Sequence, residues 1–123
     1  MHVYALDHVQ IAMPRGGEPA AREFYGDLLG LTELAKPPNL AARGGLWFQC
    51  GSLQVHLGVE SEFRPAKKAH PAFLVRDLEA VRAALASTDH EVTLDPEPSP
   101  GVERIFTKDP FGNRIELIEP HSK

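Results

Sequence analysis

The strongest constraint on the fold is that this chain of 123 residues reads twice. Val3 to Met13 alternates apolar and polar residues until Pro14, Gly16 and Gly17 stop the run, which predicts a strand and a turn. From Glu18, residues Ala21, Phe24, Tyr25, Leu28 and Leu29 fall on one helical stripe, and Gly30 supplies the left-handed position that ends a helix. A short strand over 31–34, a Pro/Gly-bearing loop and two runs, 46–50 and 53–59, joined by Gly51-Ser52, complete a β-α-β-β-β order. The same order then recurs. Residues 71–75 predict a strand, Asp77 caps a helix carrying Leu78, Val81 and Leu85, and 91–94 predict a strand. Runs 104–107 and 114–118 flank the turn Asp109-Pro110-Phe111-Gly112-Asn113, a second hairpin. The expected architecture is α+β: one domain over 1–123, made of two tandem β-α-β-β-β units, about 3–60 and about 69–120. A pseudo-two-fold axis would relate them, with a curved mixed sheet around a metal cleft.

Composition narrows the partners. The 13 Lys and Arg against 17 Asp and Glu give a net charge of -4, with no basic face for a nucleic-acid backbone. No apolar run approaches membrane-spanning length, and no signal-like segment opens the chain. A single cysteine, Cys50, forms no internal bridge, and a cytoplasmic location is the expectation. Nucleic acid and membrane are therefore set aside as partners, and a small molecule is the expected one.

The repeat also aligns chemistry. His8 and His70 fall on the first strand of each unit, and His56 and Glu116 on the last; His56 follows His8 by 48 residues, and Glu116 follows His70 by 46. In Val55-His56-Leu57 and Ile115-Glu116-Leu117 the polar group lies between apolar neighbours, so it points away from the face that buries them. Imidazole and carboxylate together suit zinc, nickel, iron(II) or manganese, and an open coordination position serves catalysis or ligand binding. The four residues His8, His56, His70 and Glu116 are thus the candidate ligands of a divalent metal ion, Glu116 and His56 doubling as candidate catalytic groups.

At these residues the chain resembles the vicinal oxygen chelate superfamily, which includes glyoxalase I, fosfomycin-resistance thiol transferases, extradiol dioxygenases and bleomycin-binding proteins. The likeness rests on Leu6-Asp7-His8-Val9, on the run from Phe24 to Leu31, and on the run from Asp109 to Glu116, and it covers nearly the whole chain. It implies metal ligation by His8, His70 and Glu116, with His56 at the fourth place, and it implies a homodimer. Glyoxalase I usually has a glutamate at that place, serving as ligand and proton-transferring base; a histidine there binds metal, acts as base or contacts substrate. The implied function is a glyoxalase-like isomerase or lyase that chelates a small substrate through adjacent oxygens. The alternatives are a thiol transferase or dioxygenase of the same superfamily, or a non-catalytic sequestering protein of the bleomycin-binding type.

Other residues read as structural. Trp47 and Phe48 are expected in the core, with the wall of a substrate pocket as the alternative, the Phe24/Leu28 stripe as helix packing, and Asp109 and Asn113 as backbone caps in their turn. Arg64, Lys67 and Lys68 form a solvated connector, and His2, His90 and His121 lie near ends or in a turn.

Overall fold

The computed structural model describes residues 2–121, and the chain divides into two compact units between Arg64 and Pro65. The sheet expected from the sequence is realised as two four-stranded mixed sheets, one per unit.

In the first unit the strands are β1 (His8–Met13), β2 (Thr32–Leu34), β3 (Leu46–Cys50) and β4 (Leu53–Val59), in the order β1-β4-β3-β2. β1 runs parallel to β4, while the β2/β3 and β3/β4 pairs are antiparallel. Alternation sends Val55, Leu57, Phe48, Leu46, Ile11 and Met13 to one buried face and leaves His8, Gln10, Trp47, Gln54 and His56 on the other. Each large side chain fully buried on the apolar face contributes roughly 1.5–3 kcal/mol.

The connection after β1 departs from the expected single α-helix. A four-residue helix α1 (Glu18–Ala21) passes into a π-helical stretch over Arg22–Leu28, closed by Leu29 N–H donating to the Phe24 carbonyl at 2.9 Å. A wider turn brings sequence neighbours nearer the same side. Phe24 and Tyr25 are both buried, their rings 4.9 Å apart, and Tyr25 meets Phe48 of β3 at 6.1 Å. Gly30 is left-handed, φ 83°, as its place predicts.

Two further differences concern the start of the chain and the long loop. β1 begins at His8 and not at Val3, and Val3, Tyr4 and Leu6 stand exposed. The loop before β3 holds one short helix, α2 (Pro38–Ala41), opened by Pro38 at a position where its missing N–H costs nothing.

The second unit repeats the plan with β5 (Ala72–Leu74), α3 (Leu78–Ser87), β6 (Val92–Leu94), β7 (Val102–Lys108) and β8 (Arg114–Pro120), in the order β5-β8-β7-β6. Asp77 caps α3 as expected, its carboxylate accepting from Ala80 N–H at 3.1 Å. Leu78, Leu85, Ile105, Ile115 and Leu117 form the buried layer. The 109–113 turn is held from inside: Asp109 Oδ1 accepts from the N–H of Phe111 and of Asn113, each at 2.9 Å, and Asn113 Oδ1 accepts from Ala66 N–H at 2.9 Å. Asp109 and Asn113 are both buried, so they are the backbone caps their turn demands. Among the described residues, no helix is long and apolar enough to cross a membrane.

Candidate functional site

The repeat persists at the level of single rungs. Gln10 pairs with His56 across β1/β4, and Ala72 pairs with Glu116 across β5/β8, so His8 and His70 each stand two residues before the partner of the other candidate. Trp47 and Phe106 sit opposite His56 and Glu116 on the neighbouring strands. His70 itself lies in the segment leading into β5 and not within that strand.

In the first unit three rings stack. His56 lies between His8 and Trp47, with centroids 4.2 Å from each and interplanar angles of 15° and 7°. His8 Nδ1 is 2.9 Å from Asp7 Oδ2. A carboxylate only accepts, so Nδ1 carries the hydrogen in the neutral ring and Nε2 presents its lone pair. His56 Nε2 is 2.9 Å from Gln54 Oε1, which by the same argument leaves the lone pair on Nδ1. Burial is the main reason the His56 imidazole holds its proton less well than a free histidine; the positive charge of a protonated His8 adds to this, Asp7 opposes it, and Lys36 reinforces it. His56 is therefore a neutral base near pH 7.

In the second unit His70 Nδ1 is 2.9 Å from the Lys68 carbonyl, which fixes the hydrogen there. Its Nε2 faces Glu116 Oε1 at 2.8 Å. Two lone pairs do not approach so closely unaided, so a proton or a cation belongs between them. The second carboxylate oxygen of Glu116 accepts from Arg104 Nη1 at 2.9 Å. Arg104 Nε stands 3.0 Å from Asp95 Oδ2, an ion pair by distance, although its N–H points off the oxygen and finds no aligned acceptor. Phe106 meets the His70 ring edge to face at 5.9 Å, and the Arg114 guanidinium covers Phe106 at 4.3 Å.

These donors fit a divalent cation. Ligands about 2.1 Å from one cation are about 3 Å apart at right angles and about 3.4 Å apart in a tetrahedron, so the His70–Glu116 pair need open only slightly from its 2.8 Å separation to share one. His8 and His70 are prepared alike, each with Nδ1 tied to an acceptor close by in the chain and Nε2 left as donor. His56 is less well prepared: its ring is parallel to that of His8, so the two in-plane lone pairs do not converge without a rotation. Among the described residues, no group of three or more His, Cys, Asp or Glu stands together as a ligand sphere; the structure brings together the pair in each unit.

Trp47 departs from the expectation of a core residue. Phe48 is fully buried, but its neighbour emerges on the opposite face against His56 and lines a cavity of 630 Å³. Arg104, Gln54, Lys36 and Arg43 escape a reading of the sequence. Arg104 alone left a usable signal, since it lies on the same face of β7 as Phe106 and therefore on the Glu116 side of the sheet. Arg64, Lys67 and Lys68 are exposed as expected.

A family model described as the glyoxalase/bleomycin resistance protein/dioxygenase superfamily matches residues 5–117. Among solved structures, a Bacillus anthracis protein assigned to the glyoxalase family is 46% identical, with 98% of each chain covered and a TM-score of 0.90. A glyoxalase/dioxygenase from Nostoc punctiforme shares the fold at 21% identity, covering 98% of this chain and 94% of its own, with a TM-score of 0.80. Lactoylglutathione lyase from Agrobacterium tumefaciens shares it at 19% identity, covering 94% and 92%, with a TM-score of 0.70. No curated protein matches the chain.

Proposed function

Since the chain belongs to the glyoxalase/bleomycin resistance protein/dioxygenase superfamily, we propose that it is a divalent-metal-dependent enzyme of the glyoxalase-like isomerase or lyase type, chelating a small α-oxo substrate through adjacent oxygens. The observation that carries this reading is the 2.8 Å approach of His70 Nε2 to Glu116 Oε1 with the His70 hydrogen fixed on the other nitrogen.

In this reading His70 and Glu116 of one unit and His8 of the other, from one chain or from two copies in a homodimer, hold a zinc, nickel, iron(II) or manganese ion. His56 stands at the fourth place, beside the ion and not on it, as the proton-transferring group. When bound, the ion would supply Lewis-acid chemistry at a substrate carbonyl. Arg104 holds Glu116 Oε2, which fixes the carboxylate's direction and leaves Oε1 facing His70, where it would be available to the ion. His56, neutral and with its Nδ1 lone pair unoccupied by Gln54, takes the proton from the carbon beside the carbonyl and returns it to the neighbouring carbon. Glu116 is the alternative proton carrier.

The test is a metal analysis of protein purified without added metal, followed by the same analysis and a hemithioacetal isomerase assay on His70→Ala. Loss of bound metal together with activity is the expected result. Retention of both in the variant overturns the reading. Sedimentation of the metal-loaded protein checks the homodimer.

A further inference from the structure

The cavity over the open face of the first unit has a charge the rest of the chain does not lead one to expect. The chain is acidic overall, at -4, yet two cations from the segment between β2 and β3, Lys36 and Arg43, stand in the wall of this 630 Å³ space. Among the described residues neither forms an ion pair with a carboxylate. Lys36 Nζ donates to the Gly44 carbonyl, a neutral acceptor that positions the amine without cancelling its charge. Its field reaches both His56 and Glu18, and the Glu18 carboxylate is already engaged by the Gly45 N–H at 2.8 Å. Asp7, the acid in the lining, is bonded to His8.

The rest of the cavity is shaped for a small molecule. Its size falls within the roughly 300–1,000 Å³ of small-ligand sites. Gln10, Gln54 and His56 offer polar groups, and Trp47 an aromatic wall. The floor is kept low by Gly58, where an added Cβ would come within 2.6 Å of Gln10 Nε2, so the Gln10 side chain is free to lie across the strand.

We propose that this cavity takes a small anionic molecule, a carboxylate or phosphonate, with the anion held between Lys36 and Arg43 and the remainder directed along the Gln10/Gln54 rung toward His56. The two cations are specificity-determining residues, and substrates of the enzyme bear a negative group apart from their chelating oxygens. The inference rests on the reading that the His8/His56 face is the reacting one, but anion capture itself requires no metal.

Trp47 is the one tryptophan of the chain and lines the cavity, so its fluorescence reports occupancy. Chelator-treated protein is titrated with malonate and with its neutral analogue malonamide. Malonate should give a saturable change that malonamide does not, weakened about tenfold in Arg43→Gln and in Lys36→Gln and unchanged in Lys67→Gln. Arg43 makes no side-chain hydrogen bond or ion pair among the described residues, so its variant should keep the wild-type circular dichroism and melting behaviour. Equal responses to malonate and malonamide, or malonate binding untouched in Arg43→Gln, overturn the proposal. Zinc titration of the same proteins separates the two readings: zinc bound without malonate selectivity sinks only the anion site, and malonate selectivity without zinc sinks only the metal enzyme.

Discussion

Arg104 is the residue on which the second unit's pole depends without being one of its donors. Its guanidinium holds one oxygen of a buried carboxylate and leaves the other facing His70. Partners in this position commonly change metal affinity by about 10–100-fold when removed. Arg104→Gln should therefore weaken zinc binding by about that factor in a competition titration with a chromophoric chelator, with Arg104→Lys recovering part of it. Unchanged affinity in Arg104→Gln would show that Glu116 needs no such support. Glu18 gives a pH prediction. The Gly45 N–H hydrogen bond is the main cause that holds its carboxyl below the usual 4.5, against burial that pushes it up. Because the folded state lowers this acid's proton affinity, its contribution to stability is present above about pH 4.5 and is lost as the pH falls through the folded value. Urea midpoints between pH 7 and pH 3 should decline less steeply for Glu18→Gln than for the wild type, and parallel curves would refute the assignment.

At the scale of elements, strands were legible and irregular segments were not. The strict alternation in Val55-His56-Leu57 and Ile115-Glu116-Leu117 fixed which side chains share a face, and β4 and β8 obey it. The π-helical stretch shows the same apolar stripe as an α-helix, so nothing in the spacing of Ala21, Phe24 and Tyr25 distinguishes the two. Helix α2 carries no apolar periodicity over its four residues, and the first residues of the chain show alternation without forming a ladder. Trp47 shows the limit at the site, because parity says that it opposes Phe48 but not which of the two faces is filled. Lys36 and Arg43 reach the cavity through a loop path that no local pattern encodes. The 109–113 turn, by contrast, is legible in its residue types. Asn113→Ala removes the acceptor of Ala66 N–H and the side-chain amide that donates to Asp109 Oδ2, while the backbone N–H groups of Phe111 and Asn113 still hold Oδ1. The loss of these two hydrogen bonds, the one to the carboxylate being the stronger, puts the cost at about 1–3 kcal/mol, measurable as a lowered denaturant midpoint with an unchanged slope. A loss under about 0.5 kcal/mol, the range of ordinary surface changes, would contradict this account of the turn.

For the whole molecule, a bound cation couples to stability by mass action. Metal at 100 times its dissociation constant adds about 2.7 kcal/mol to the folded state, which for a chain of this size raises Tm on the order of 10 °C. Chelator should lower Tm by a similar amount in the wild type and by little in His70→Ala; equal melting of the wild type with and without chelator would count against a resident ion.

His56 and Glu116 occupy the same rung of two copies of one ladder, yet one is a neutral ring and the other an anion. In the proposed centre, two imidazoles and a single carboxylate would leave a dication with one positive charge in excess beside a neutral His56, whereas a glutamate at position 56 would bring the sum to zero. The side chain on that one rung would thus set the valence of the centre beside the Lys36 and Arg43 charges, one unit more positive with an imidazole than with a carboxylate, on an unchanged strand.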